Sequence, residues 1–383
     1  MSRSASPLAP TTFLRRNAGK TIPLVIVITL AVMLVQSIIA LINSIPLSIR
    51  TIYGYSSAFL AVSPRLDPSL TPTLVEILKD KPPVEMDRYM LCRGSSAQVK
   101  SIVGKWPFAV MAMEPGDLKY YLERQGVSKI EGRLPQVGAA EMIVSRPVAS
   151  NLGIKVGTIL LKPEDNENFS RKPVKVVGIA ETDRWLMLGD KKYYADSQPI
   201  PLDFVLAFTK NINEQSKFDY WAEEKLKGQF AQVFAYHQIK KQSEEMFGIL
   251  YRILNAVILV LVIVITFMMG MLMNIYQTQR LVEFGLLQAI GFTKTQLLKR
   301  VISESILVII GGWIFGLIVA RGLLIIAKKV LMDPQAFALD ISDPVAIAYT
   351  IPIPVAILIV AVGTIWLRFK NFDPVAVVER RIV

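Results

Sequence analysis

The sequence predicts an α-helical membrane protein with four transmembrane helices and an additional α+β domain. The chain of 383 residues is 52% hydrophobic and 19% charged, with a positive mean hydropathy, which favours a membrane protein over a large soluble enzyme. Its apolar residues are concentrated in four stretches, each longer than the roughly 20 residues that a helix needs to cross a bilayer. These predicted spans are residues 21–49, 246–279, 301–327 and 345–367.

Basic residues flank the predicted spans and indicate their orientation. They precede the first span, occupy the connector at residues 280–300 and follow the last span: Arg3, Arg15, Arg16, Lys20, Arg280, Lys294, Lys299, Arg300, Arg368, Lys370, Arg380 and Arg381. The positive-inside rule makes these segments cytoplasmic. Both termini, residues 1–20 and 368–383, are then inside, residues 50–245 form an extracytoplasmic domain, and residues 328–344 form an outer loop. Only Lys328 and Lys329 depart from this pattern, so the net charge of +12 indicates a lipid surface and no nucleic acid.

The first span is predicted to be a retained anchor. Its apolar core is longer than the roughly 7–15 residues of a signal peptide, and no small-residue cleavage site follows before Pro46. Cys92 is the only cysteine in the sequence, which excludes an intrachain disulfide. The extracytoplasmic domain must therefore be stabilised by its own core.

The domain at residues 50–245 alternates short strand and helix patterns, which is typical of an α+β fold. Thr71 is expected to be the N-cap of a helix with Pro72 at its first position, while Gly126 and Gly153 are expected to end two later helices. The predicted strands are residues 58–62, 85–92, 108–113, 141–145, 158–162, 174–180 and, as the last one, 201–208; the predicted helices are 71–79, 116–125 and 147–152. From about residue 239 an unbroken helical pattern runs into the second span, which predicts a rigid stalk; a loop ending near Met246 is the alternative.

Residues that could support catalysis or metal binding are scarce. His237 is the only histidine and lies among aromatic residues, so a structural or solvated role is expected. No His/Cys cluster predicts a metal site. Gly19, Lys20 and Thr21 match the end of a phosphate-binding loop. The motif also requires a glycine at position 14, where this sequence has Leu14, and a membrane span follows. The sequence therefore predicts neither an enzyme nor a bound cofactor.

The third span contains polar and small residues that could mediate contacts. Glu304 lies one to two turns into the span and either packs against the connector, of its own chain or a second copy, or is solvated at headgroup depth. Arg321 is expected to extend its charge to the outer interface. Gly312, Gly316 and Ala320 form a small-xxx-small row that permits close helix packing, either within the chain or across a dimer.

The connector combines charged residues with spaced glycines, and the third span adds an early Glu and a glycine pair. The positions are Arg280, Glu283, Gly285, Leu287, Ala289, Ile290 and Gly291, followed by Glu304, Gly311, Gly312 and Gly316. This pattern resembles that of the FtsX/MacB-type (DevC-like) ABC transporter permeases, in which a basic and acidic segment with spaced glycines follows the second span and a span with an early Glu and a glycine pair comes next. Gln279 and Gln288 depart from it, since Glu and Arg are usual there. Residues 372–378 are similar to the family's closing motif, and residues 132–135, 141–145, 149–157 and 176–179 are similar to its MacB-like periplasmic core.

The resemblance implies a non-catalytic permease subunit in the bacterial inner membrane that works as a dimer, either of two identical copies or of two different permeases. A separate cytoplasmic ATPase would bind ATP and magnesium and dock on the connector. The seven connector residues from Arg280 to Gly291 named above are the predicted docking site, with charged residues exposed and Leu281, Leu286, Leu287 and Ile290 forming an apolar face. ATP-driven motion would pass through the stalk to the extracytoplasmic domain and export or extract a substrate, with a periplasmic adaptor and an outer-membrane channel as possible partners. A non-transporting subunit that regulates a cell-wall hydrolase is the alternative.

Overall fold

The structure is a computed structural model that describes residues 18–65, 67–102, 104–197 and 203–370. These residues divide into two compact units. The membrane unit contains residues 18–42, 249–327 and 340–370, and the α+β unit contains residues 43–248 and 328–339. The predictions about the basic N-terminal residues up to 17, about the closing motif at 372–378 and about residues 201 and 202 lie outside the described residues.

Helix α1, Ala18–Ile52, is the first element of the chain and contains the first predicted span. Its residues from Thr21 to Ile52 are apolar enough and long enough to cross a membrane. The helix carries no acidic residue in its first turn and ends with Arg50 in its last turn. A basic residue at this position complements the partial negative charge of the helix C-terminus.

The α+β unit contains one mixed sheet with ten strands among the described residues. The strands are β1 (Leu60–Pro64), β2 (Met86–Ser101), β3 (Gly104–Met113), β4 (Lys129–Gly132), β5 (Glu141–Ser145), β6 (Ile159–Leu161), β7 (Val174–Glu181), β8 (Met187–Asp190), β9 (Asp203–Thr209) and β10 (Ala231–Phe234). Their order is β10-β1-β9-β2-β3-β8-β5-β7-β4, with β6 also paired to β7. The pairs β3–β8 and β5–β7 are parallel, and the other pairs are antiparallel.

Five helices of the α+β unit pack between or beside these strands: α2 (Thr71–Lys79), α3 (Pro115–Arg124), α4 (Arg146–Leu152), α5 (Lys191–Ser197) and α6 (Gln215–Lys225). The larger core contains Phe59, Phe108, Tyr121 and Trp185, all of them fully buried. A second core lies where α2 and α6 cover β1 and β9, and it includes Phe218. Burial of large aromatic side chains is a major stabilising contribution in a domain that has no disulfide.

The structure confirms the α+β class and corrects several details of the prediction. The N-cap of α2 is Leu70, and Thr71 is already helical because a 3₁₀ turn at Pro68–Leu70 precedes it. Strand β9 is not the last strand, since β10 follows and pairs with β1. Strand β2 continues to Ser101, past a polar stretch that has no strand pattern of its own, because the β2–β3 hairpin pairs it residue by residue with β3. Elements β4, β8, β10, α5 and α6 were not predicted.

The remaining helices follow in the order α7 (Tyr236–Thr278), α8 (Leu281–Ala289), α9 (Lys294–Ala327), α10 (Pro344–Ala348) and α11 (Pro352–Lys370). Helix α7 is continuous over 43 residues, roughly 65 Å from the helical rise per residue. The alternative of a loop ending near Met246 is therefore wrong. In the described residues, four helical segments are long and apolar enough to cross a membrane, which confirms the predicted fold class.

Two boundaries in the membrane-spanning region differ from the prediction. The expected outer loop begins with helical turns at Lys328–Met332 and Asp333–Gln335. The fourth span is interrupted at residues 349–351, between α10 and α11. Pro352 has no backbone N–H and disfavours helical geometry at the residue before it, so the helix restarts with Pro352 in its first turn.

Candidate functional site

The connector between α7 and α9 is a separate short helix, α8, with a defined end. The amides of Gly291 and Phe292 donate to the carbonyls of Gln288 (2.9 Å) and Leu287 (3.1 Å), which is the Schellman arrangement at a helix C-terminus. Gly291 has a φ of 108°, a left-handed conformation that favours glycine. Thr293 then caps α9, since its hydroxyl accepts the Gln296 amide (3.3 Å). The chain therefore turns sharply between α8 and α9.

Four charged side chains at the base of the connector form one ion-pair cluster. Arg280 donates to Glu304 (2.7 Å) and to Glu283 (3.2 Å). Arg300 donates to Glu304 (3.0 Å) and lies 3.5 Å from Glu283. The side chains of Arg280, Arg300 and Glu304 are at most 7% exposed, whereas Glu283 is 38% exposed. Two positive and two negative charges thus neutralise one another at the start of α9.

This cluster contradicts the predicted exposure of the connector charges and decides between the two roles considered for Glu304. Glu283 and its basic neighbours were predicted to be exposed, but Arg280 and Arg300 are buried. Of the two roles considered for Glu304, the structure shows packing against the connector of its own chain and not solvation at the membrane surface. Isolated buried charges are costly, and pairing with two arginines reduces that cost.

The apolar residues of α8 face in two directions. Phe284, which the sequence analysis did not select, is buried with Leu297, Val301 and Ile365. Leu281 and Leu287 pack partly against this cluster. Among the predicted apolar residues, only Leu286 and Ile290 are largely exposed, at 55% and 76%.

The structure therefore divides the seven predicted docking residues into two groups. Arg280 and Gly285 are buried, and Glu283 and Leu287 are half-buried. Ala289, Ile290 and Gly291 are exposed and lie together at the C-terminal end of α8. With Leu286, these three residues form what we name the α8 tip: Leu286, Ala289, Ile290 and Gly291.

The small-residue row of α9 packs against α1 within the chain. Gly312 and Gly316 approach α1 so closely that an added Cβ would lie 3.0 Å from Ile28 and 2.8 Å from Val32. The Thr29 hydroxyl donates to the Gly312 carbonyl (3.3 Å), and Ala320 is fully buried. Of the two alternatives considered, contact within the chain or across a dimer, the structure shows the first. Gly311, also part of the motif, has open space at its Cβ position.

The single histidine lies outside this site. His237 stacks on Tyr220 with ring centroids 4.1 Å apart and bonds to Glu223. No group of three or more His, Cys, Asp or Glu residues that could hold a metal ion occurs within the part of the chain that the structure describes.

Arg300 and Phe284 are the two members of the site that sequence reasoning missed. Arg300 precedes Glu304 by four residues, a spacing that places both side chains on one face of a helix, so this pair could have been found from the sequence. Phe284 could not, because α8 is apolar on most of its circumference and only the packing of α9 and α11 defines which side is buried.

The chain matches one family description. Residues 255–374 match the FtsX-like permease C-terminal domain. This range includes the connector, the ion-pair cluster and the small-residue row. Among curated protein sequences, none matches the chain.

Several solved structures are similar to part of the chain at low sequence identity. The periplasmic region of MacB from Actinobacillus actinomycetemcomitans is 10% identical, with 50% of this chain and 95% of that one covered and a TM-score of 0.29. The extracellular domain of the noncanonic ABC-type transporter YknZ from Gram-positive bacteria is 12% identical, with 46% and 99% covered and a TM-score of 0.27. A domain of a putative permease from Porphyromonas gingivalis is 11% identical, with 47% and 89% covered and a TM-score of 0.24.

Four apolar helices and a matched permease domain define the class: the chain is a membrane protein that carries an FtsX-like permease domain at residues 255–374. The match includes the connector and agrees with the FtsX-type resemblance that the connector residues predicted.

Proposed function

We propose that this chain is the non-catalytic membrane subunit of an ABC transporter and that a separate ATPase docks on the α8 tip. The ATPase binds ATP and magnesium, since the permease has no phosphate-binding loop in its sequence. The chain lies in the bacterial inner membrane with both termini cytoplasmic, which places α8 on the side where the ATPase is. Nucleotide-driven movement of α8 is passed to the α+β unit, where it drives export or extraction of a substrate.

The observation that carries the proposal is the exposed apolar α8 tip on a helix whose other side is fixed. Leu286 and Ile290 are four residues apart and therefore lie on one face of α8. Short apolar helix faces of this kind bind in grooves of partner proteins. The buried ion-pair cluster and Phe284 attach the opposite face of α8 to α9 and α11. A force applied at the tip would then move the spans instead of only deforming the connector.

A second copy of the permease completes the proposed transporter as a homodimer, as the family resemblance implies. A periplasmic adaptor and an outer-membrane channel are further proposed partners on the other side of the membrane. The substrate is recognised by the α+β unit or by these partners.

The test is copurification of the ATPase with the full-length permease from a detergent-solubilised membrane. Leu286→Glu and Ile290→Glu place a charge on the α8 tip at exposed positions, so the fold should tolerate both. We expect both variants to lose the ATPase and its stimulation by the permease. Lys299→Gln, an exposed change on α9, is the matched control and should retain the ATPase.

Retention of the ATPase by both tip variants would show that it docks elsewhere. Gly285 is a poorer position for this test, because it is buried and a larger side chain there would disturb the packing of α8 as well as any docking. The half-buried Glu283 has the same disadvantage, since it is part of the ion-pair cluster.

A further inference from the structure

The start of α7 is joined to the sheet of the α+β unit by a single residue. Strand β10 ends at Phe234 and α7 begins at Tyr236, so only Ala235 lies between them. Strand β10 is held in the sheet by β1, with Phe234 opposite Ala61 and Val233 opposite Val62. Ala235 itself is fully buried. The position at which α7 leaves the sheet is therefore fixed.

The direction of α7 is not fixed by this connection. One residue contributes two soft backbone dihedrals, φ and ψ, and rotation about them would swing a long helix through a wide arc. A second attachment away from the chain connection is needed to define the helix direction. The structure contains such an attachment on the neighbouring helix α6.

One carboxylate of α6 binds two consecutive residues in the first turn of α7. The Nε2 of Gln238 donates to Oε1 of Glu223 (2.8 Å), and Nε2 of His237 lies 2.9 Å from Oε2 of the same side chain. A carboxylate can only accept, so His237 donates from Nε2. The ring of Tyr220, one turn earlier on α6, stacks on the imidazole. We name this set the α6 clamp: Tyr220, Glu223, His237 and Gln238.

The charges around the clamp favour an ionised Glu223. Its pKa is lowered, first by the hydrogen bond from Gln238 and further by His237 and by the charge of Lys241 on α7. Asp219, one turn earlier on α6, interacts electrostatically with the same histidine. A carboxylate with two donors and a nearby ammonium group makes stronger hydrogen bonds than a neutral acceptor would.

Helix α6 is in turn firmly attached to the sheet, so the clamp has a fixed base. Phe218 and Ala222 are fully buried in the second core beside Leu60 of β1. The Gln215 side chain accepts from the Thr209 amide (3.1 Å) at the end of β9 and donates to the Ala207 carbonyl (3.3 Å). An α7 residue bonded to α6 is thus bonded to a rigid part of the α+β unit.

We propose that Glu223 is a positioning residue that fixes the direction of α7 relative to the sheet, so that movement of α7 is transmitted to the α+β unit. The proposal rests on the proposed function for the source of that movement. Without the clamp, α7 keeps its chain connection at Ala235 and the Arg50–Glu244 ion pair to α1 (2.8 Å). Both charges of that pair are in contact with water, so the pair contributes little, and α7 would pivot relative to the sheet.

The direction of α7 can be measured in the full-length permease alone, reconstituted in lipid nanodiscs. Spin labels at Lys217→Cys on α6 and Gln242→Cys on α7 report the distance between the two helices; both positions are exposed, and the native Cys92 is buried. We expect a narrow distance distribution in the otherwise unchanged protein and a broad one after Glu223→Gln or Glu223→Ala. Glu224→Gln is the matched control, because Glu224 is the next residue on α6 and its exposed side chain lies 3.5 Å from the exposed Lys227.

Two histidine variants separate positioning from simple loss of packing. His237→Gln keeps a donor for Glu223 and should retain a narrow distribution, whereas His237→Phe keeps an aromatic ring for Tyr220 but loses the donor and should broaden it. An unchanged, narrow distribution in both Glu223 variants would overturn the proposal. Equal broadening by Glu224→Gln would also overturn it.

A second measurement adds the ATPase and nucleotide. If α7 and the sheet move together, the 217–242 distance stays constant between nucleotide-free and ATP-bound complexes, and it becomes nucleotide-dependent in Glu223→Gln. A nucleotide-dependent distance already present in the unchanged protein would contradict transmission through the clamp. Failure of the unchanged permease to copurify an ATPase would refute the proposed function instead, and the distance measurement on the permease alone would still decide whether the clamp fixes α7.

Discussion

Arginine–glutamate clusters occur in both units of this protein, but their surroundings differ. In the membrane unit, Arg280 and Arg300 share Glu304 in a buried setting where the three side chains are at most 7% exposed. In the α+β unit, Arg146 bonds to Glu181 and Glu131 with side chains that are 36% to 56% exposed. The chemistry is the same in both places, whereas the access of water is not.

The difference determines what each cluster can contribute. Water competes for exposed charges and screens them, so a surface ion pair contributes little to stability. In a buried cluster each charge depends on its partners, and removal of one leaves the others unpaired in a poorly solvated place. We therefore expect the ion-pair cluster at the connector to stabilise the fold cooperatively. The Arg146 cluster should be dispensable for stability.

The largest effect is expected for Glu304→Gln, which removes the negative charge that Arg280 and Arg300 share. Breaking a buried ion pair by loss of one partner typically destabilises by ~3–5 kcal/mol. We expect a clearly lower unfolding temperature of the full-length permease in detergent, together with faster hydrogen exchange across α8.

Ser303→Ala provides the control for this change, since Ser303 is the adjacent residue of α9 and its exposed hydroxyl bonds only within its own helix. If Glu304→Gln and Ser303→Ala unfold at the same temperature, the ion-pair cluster does not stabilise the fold. Burial would then not distinguish its contribution to stability from that of the exposed Arg146 cluster.

An intermediate and pH-dependent effect is expected for Asp219, a buried carboxyl of the α+β unit without an arginine partner in the described structure. Burial raises its pKa to about 6, although Gln215 and His237 oppose the shift. A raised carboxyl pKa means that the folded state disfavours the charged form. This group therefore lowers stability at pH above about 6, and the penalty disappears as the pH falls toward the ordinary carboxyl value. A shift of this size corresponds to on the order of 2–3 kcal/mol.

Asp219→Asn keeps an oxygen that can accept from Gln215 but cannot ionise. We expect the variant to be more stable than the unchanged protein at pH 8 and equal to it near pH 4, measured as the difference in unfolding temperature across that range. A difference that does not vary with pH would mean that Asp219 does not titrate in this window.

The smallest effect is expected for Arg146→Ala in the exposed cluster. Its two glutamates would be rehydrated at once, because they are already in contact with water. The unfolding temperature should stay within the measurement error. A decrease comparable to that of Glu304→Gln would show that exposure does not explain the difference between the clusters.

The sequence was sufficient to predict the membrane-spanning helices, because the length and apolarity of a span are local properties. It was less informative for the sheet. Strands β4, β8 and β10 are four residues long, too short for a periodic pattern, and they are strands only because neighbouring strands pair with them. The interruption before Pro352 follows a local rule that the sequence already contained.

The candidate site, too, could be predicted only in part from the sequence. The identity and spacing of Arg280, Glu283 and Glu304 were sufficient to predict an FtsX-like segment, which the match at residues 255–374 supports, and to place the connector between two spans. Their burial was not predictable, since the sequence shows charge but not which side of α8 the helices α9 and α11 cover. The α8 tip is exposed and the ion-pair cluster is buried for this reason.

The sequence by itself therefore determined the number of spans, the separate α+β domain and the FtsX-like character of the connector, because apolar length, residue spacing and glycine positions act over short distances along the chain. Only the tertiary structure decided that the four connector charges neutralise one another, that the small-residue row of α9 packs on α1, and that Glu223 clamps the start of α7. Each of these contacts joins residues from different elements, most of them far apart in the chain, and their energies depend on burial and geometry that no local pattern records.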